Sequence, residues 1–77
     1  MAESFLDRIE VDAEKLGGKP VIKGTRIPVA LILELLASGM EPEEIIREYP
    51  ELSPEDIKAA LFYAARLTEK EILFAPE

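Results

Sequence analysis

The chain has no cysteine and no histidine among its 77 residues. Without cysteine no disulfide can staple a small body, and without either residue an ordinary zinc or haem site is excluded. Acid–base and nucleophilic catalysis lose their commonest carriers as well. None of the serines or threonines has a base paired to it by its spacing, so no enzyme, cofactor or small-molecule substrate is expected. Long apolar runs are also missing. The longest, Ile27 to Leu33, falls far short of a membrane span of roughly 20 residues. Met1 to Arg8 lacks a basic start followed by an apolar run, so no signal peptide is expected and cytoplasmic residence follows. Positive charge is scarce: nine Lys and Arg stand against sixteen Asp and Glu, for a net charge of −7.

The few cations are unevenly placed. Lys15, Lys19, Lys23 and Arg26 share a window with no acid in it. An acid-free basic segment in an acidic chain suits a surface that meets something negative, although lysines on the rim of a solvated hairpin are the simpler account. Glu10, Asp12 and Glu14 alternate. A hard cation could use them, but a solvated strand edge explains them better, because no glycine-centred loop with further oxygen ligands follows. Gly17-Gly-Lys-Pro20 lacks the strand and GxxxxGK[ST] frame of a phosphate loop.

The glycines and prolines punctuate the rest. Arg8 to Val11 alternates polar and apolar residues, and Pro20 to Lys23 reads as a second short strand. Gly17-Gly18 and Gly24-Thr25 mark turns. Residues 8–27 thus form a β-hairpin or arm. Pro28 suits the first turn of a helix to Ser38 that is apolar nearly all round, with Gly39 ending it, so burial on most sides is expected. Pro42 to Glu48 is a second helix with Ile45, Ile46 and Tyr49 inward, and Glu41 is a weak N-cap. Ser53-Pro-Glu-Asp56 is a capping-box start for a third helix reaching about Glu71. Its spacing gives a core stripe of Ile57, Ala60, Leu61, Ala64 and Thr68, opposite Glu55, Ala59, Phe62 and Arg66. The whole is one mainly α domain over residues 1–77. It comprises a β-arm at 8–27, three helices in helix-turn-helix arrangement at 28–71, and a tail at 72–77.

Two binding readings follow. In the first, Lys19, Lys23 and Arg26 on the arm contact DNA phosphates, with Lys58 on the third helix near the major groove. Glu55 and the net charge of −7 oppose it. In the second, Phe62 beside Ala59 and Tyr63 is an exposed interface centre, and Ile72, Leu73 and Phe74 are an apolar tail. With 48% hydrophobic residues on so small a body, self-association as a homodimer ranks first, a different protein second, and intrachain burial third.

The stretch Gly17-Gly-Lys-Pro-Val-Ile-Lys-Gly-Thr-Arg-Ile-Pro-Val29 resembles the signature of the domain-of-unknown-function 433 family, and the segments Leu35–Ile46 and Tyr49–Leu61 are similar to that family's second half. The resemblance spans residues 8–66. It implies a homeodomain-like three-helix fold behind a β-hairpin. It also implies an antitoxin of a type II toxin–antitoxin pair, binding operator DNA and a PIN-like nuclease. Carried onto this chain, Lys19, Lys23 and Arg26 are the implied DNA contacts; Arg66, Lys70 and Ile72–Phe74 are the implied toxin contacts. Lys23 stands where the family commonly has arginine, which keeps the charge without the bidentate fork. Only eleven residues follow Arg66, so no long wrapping extension is expected. A dimeric protein-interaction module without DNA binding is the alternative.

Overall fold

The structure, a computed structural model, describes residues 5–71, with side chains described as far as Glu69. It is mainly helical. Two short antiparallel strands, β1 (Ile9–Val11) and β2 (Pro20–Ile22), precede helices α1 (Val29–Ala37), α2 (Pro42–Glu48) and α3 (Pro54–Glu71). Ile9 lies opposite Ile22, and Val11 opposite Pro20. Between the strands the backbone turns through positive φ at Leu16 (53°), Gly17 (66°) and Gly18 (87°). Glycine tolerates this region and a residue with a Cβ does not readily; Leu16 is the non-glycine exception, and its side chain is exposed.

A second turn closes between β2 and α1. The Ile22 carbonyl accepts from the Thr25 N–H (3.0 Å) and from Thr25 Oγ1 (2.7 Å), while Ile27 N–H donates to Thr25 Oγ1 (3.0 Å). Ile22 N–H donates to the Ile27 carbonyl at 3.0 Å, and an isolated bridge joins Val21 to Pro28. Pro28 is therefore the extended N-cap of α1 (ψ 145°), belonging to the arm and not to the first helical turn. At the other end Gly39 takes φ 104°. Its N–H bonds the Leu36 carbonyl and Met40 N–H bonds that of Leu35, which is a Schellman stop.

α1 is less covered than its composition suggests. Val29 and Ile32 are buried, Leu31, Leu33, Leu35 and Leu36 are half-buried, and Ala30, Glu34 and Ala37 are exposed. The reason is the small number of neighbours in a domain this size: α1 packs on β2, α2 and α3 and leaves the rest of its apolar surface open. α2 starts better than its N-cap residue promises, because Glu44 Oε1 accepts the Glu41 N–H at 2.8 Å.

α3 begins as expected. Ser53 N–H donates to Asp56 Oδ2 (3.0 Å) and Asp56 N–H reaches Ser53 Oγ (3.4 Å). Its buried arc, however, is turned by roughly one residue step, about 100°, from the arc that spacing gives. Ile57 and Ala60 are buried as expected, but Ala59 and Asp56 are buried too, Leu61 is 50% exposed and Thr68 is exposed. The hairpin accounts for the shift: β1 packs on α3, with Ile9 and Val11 beside Tyr63 and Arg8 bonded to Asp56, so part of what would otherwise be the helix's outer face is covered. One core runs through all the elements, with Ile22 and Ile27 of the arm, Val29 and Ile32 of α1, Ile45 of α2, Leu52, and Ile57 and Ala60 of α3. Among the described residues no helix is long and apolar enough to cross a membrane.

Candidate nucleic-acid and partner interface

The basic window is not one patch. Lys15 Nζ lies 3.2 Å from Glu10 Oε1 and is spent inside the hairpin. Lys19 is exposed at the start of β2; Lys23 and Arg26 are exposed past its other end, on the turn pinned by Thr25. At about 3.3 Å per residue the strand separates Lys19 from Lys23 by roughly 13 Å. Among the described residues none of Lys19, Lys23 and Arg26 makes an ion pair. Asp12 of the same arm is engaged locally: its Oδ1 accepts the Glu14 N–H at 2.9 Å.

The Lys23–Arg26 turn is fixed against the start of α3 by a residue that spacing did not single out. Lys23 N–H donates to the Arg8 carbonyl (2.7 Å), and Arg8 Nη1 donates to Asp56 Oδ1 (3.1 Å). Asp56, 6% exposed, is the buried charged residue of the described structure, and its other oxygen holds the Ser53 N–H. The carboxylate is nearly buried while the Arg8 side chain is 43% exposed, so the bond is charge-assisted but partly screened by solvent. The turn and the N-terminal end of α3 therefore sit side by side.

Along α3 the exposed residues next to this end are Glu55, Lys58 and Leu61. Lys58 Nζ lies 5.9 Å from the centre of the Phe5 ring, a cation–π distance, and Phe5 stacks on Phe62 with centroids 5.4 Å apart and planes at 19°. Phe62 is accordingly half-buried beside Phe5 and less exposed than spacing suggests, and the two rings line an open apolar depression with Lys58, Leu61 and Ala65. Its expected neighbours change too: Ala59 is fully buried and Tyr63 is half-buried against the core. Glu41, Glu43, Glu44, Glu48, Glu51 and Glu55 are exposed on α2, its flanks and the start of α3.

Apolar surface is open in two places: a depression of about 500 Å³ lined by Phe5, Lys58, Leu61, Phe62 and Ala65, and the C-terminal end of α3. A notch of about 490 Å³ opens between Lys19 and Pro20 on β2's approach, the first turn of α1 (Pro28, Val29, Ala30, Leu33), and Tyr63, Ala64, Leu67 and Thr68 of α3. A second depression of about 420 Å³, touching Tyr63 as well, is lined by Leu6, Ile9, Val11, Arg66 and Glu69. Residues 65–69 are all exposed, Leu67 at 46%, and Val11 is 60% exposed. Arg66 is thus on the projecting end of α3. The Lys70 side chain and Ile72, Leu73 and Phe74 lie outside the described residues.

The profile of the family described as "Protein of unknown function (DUF433)" matches residues 9–64. The chain is similar to the uncharacterized protein y4eO of Sinorhizobium fredii (strain NBRC 101917 / NGR234), 41% identical over 49 residues, which are 64% of this chain and 22% of that protein. It therefore spans about a fifth of that relative's length. The crystal structure of a DUF433 member from Anabaena variabilis ATCC 29413 superposes with a TM-score of 0.77 at 29% identity, covering 88% of this chain and 67% of that one.

Proposed function

The chain belongs to the DUF433 family, and we propose that it is a non-enzymatic DNA-contacting regulator of antitoxin type. In this reading α2, the Tyr49–Ser53 connection and α3 act as the helix-turn-helix of a homeodomain-like domain. Lys23 and Arg26 hold phosphates beside the groove that the first half of α3 enters, and Lys58 adds a third cation one turn along. The single observation that carries the reading is the Arg8 bridge, which ties the Lys23–Arg26 turn to Asp56 at the start of α3. Positioning contacts and a reading helix have to be held in register, and this bridge supplies the register. Lys19, at the far end of β2, contributes little to that cluster. A PIN-like nuclease partner would be met at the other end of α3, by Arg66 and Lys70 and the Ile72–Phe74 sequence that follows. Residence in the cytoplasm suits such a role.

The salt dependence of duplex binding tests this. The parent should bind a duplex from its own upstream region with affinity falling steeply as salt rises. Lys23→Ala and Arg26→Ala should each reduce the slope of log K against log salt by about 0.9, while Lys19→Ala should leave it nearly unchanged. The second reading, a protein-interaction module without DNA binding, is favoured by the exposed acids Glu41, Glu43, Glu44, Glu48, Glu51 and Glu55 along α2 and the α3 start. No binding at about 50 mM salt, where phosphate contacts are strong, would establish that reading in place of the first.

A further inference from the structure

We infer that the depression lined by Phe5, Lys58, Leu61, Phe62 and Ala65 meets the C5-methyl group of thymine in the major groove, and that Leu61 is the side chain that sets this preference. The inference rests on the DNA-contacting reading above and adds to it the base that the helix selects.

The first observation is the placement of the lining. Its four α3 residues, Lys58, Leu61, Phe62 and Ala65, fall at i, i+3, i+4 and i+7. That spacing makes one straight face of a helix, and it is the spacing at which the reading helix of a homeodomain meets DNA. Leu61 is the prominent apolar residue of the face, 50% exposed, while Phe62 is half-buried beside the Phe5 ring. The notch at the C-terminal end of α3 also has an acid-free lining with one lysine, so charge does not choose between the two. Place does: Leu61 follows Glu55 and Lys58 on the exposed stripe that begins beside the Lys23–Arg26 turn.

The second observation is chemical. Toward a base edge the lining offers one polar side-chain group, the Lys58 ammonium. The side chains of Leu61, Phe62 and Ala65 make no conventional hydrogen bond. The major groove displays donors, acceptors and one apolar group, the thymine methyl. Against any other base edge these side chains would displace water from polar groups and return nothing. Lys58 suits the N7 and O6 acceptors of guanine. Glu55, three residues before it, accepts from the cytosine amino group when it faces a base edge but repels a phosphate, so this stripe suits bases better than backbone. Leu61 lies about 4.5 Å along the helix from Lys58, between one and two base-pair steps of roughly 3.4 Å. The preferred site is therefore a guanine with a thymine one or two steps away.

Deoxyuridine in place of thymine removes the methyl and keeps every hydrogen-bonding group of the base. Fluorescence anisotropy at about 50 mM salt, with a duplex from the chain's upstream region and the same duplex carrying deoxyuridine at every thymine, tests the inference. The parent should bind the deoxyuridine duplex about fourfold more weakly for each methyl seated, the change expected for one buried CH₂. Leu61→Ala should bind the two duplexes nearly equally, with an unchanged circular dichroism spectrum, since Leu61 is outside the core. Leu67→Ala, which alters a similarly exposed leucine outside this face, should keep the parent's preference. Equal binding of the two duplexes by the parent would overturn the thymine assignment and leave the DNA reading standing. A preference that Leu61→Ala retains in full would overturn it too, because the methyl would then act through duplex shape. A parent that binds neither duplex would overturn the DNA reading and this inference with it.

Discussion

Asp56 shows how much one carboxylate can organise in a domain that has no cysteine and so no disulfide. One oxygen closes the capping box on the Ser53 N–H, and the other holds Arg8 and, through the Arg8 carbonyl, the Lys23 amide. Replacing it removes a cap worth about 1 kcal/mol and a charge-assisted bond worth about another. Asp56→Ala should therefore lower the thermal midpoint by about 10 °C in a domain of this size, measured by circular dichroism melting. A midpoint within about 2 °C of the parent would show that neither bond matters. Arg8→Ala should cost less, because Arg8 is 43% exposed and its pair is partly screened. The capping role was legible in Ser53-Pro-Glu-Asp56 because the interaction is local. The ion pair was not, because 48 residues separate its partners and neither residue type nor spacing connects them. Thr25 is a similar case: a turn was readable from Gly24, but not the hydroxyl that locks Ile22 to Ile27.

At the scale of elements, the strands and helices follow from punctuation. Gly39 and Pro50 stop helices, Pro42 and Pro54 start them, and the glycine pair turns the hairpin. What periodicity could not settle is the phase of α3. Ala59, Ala60, Leu61 and Ala64 make two overlapping apolar stripes, and only the hairpin, a non-local neighbour, selects between them. The choice has a measurable consequence. Leu61→Glu should change stability by no more than about 0.5 kcal/mol, whereas Ala59→Leu, at a fully buried site, should overpack its surroundings and cost about 1–3 kcal/mol. Urea unfolding of the two variants would decide it; the reverse order would restore the stripe through Leu61 and Thr68. The same shift explains why Phe62 looked bare along the sequence: its cover is Phe5, from the opposite end of the described chain.

For the molecule as a whole, the acid-free basic window pointed to one cationic arm, and folding divides it. Lys15 is consumed by Glu10, Lys19 borders the apolar notch, and Lys23 and Arg26 are carried to the start of α3. Composition and charge could indicate that something negative and something apolar are met, but where each is met depends on tertiary packing. The cationic turn lies beside the N-terminal end of α3, while open apolar surface is found both around Leu61 and Phe62 and at the C-terminal end of the helix. In the proposed DNA complex the turn and the start of α3 form one surface. Amide chemical shifts followed during titration with an upstream duplex should then move together at Lys23–Arg26 and Glu55–Lys58, with one apparent affinity. Shifts confined to one of these segments, or centred on Ala64–Glu69 instead, would rule out such a shared surface.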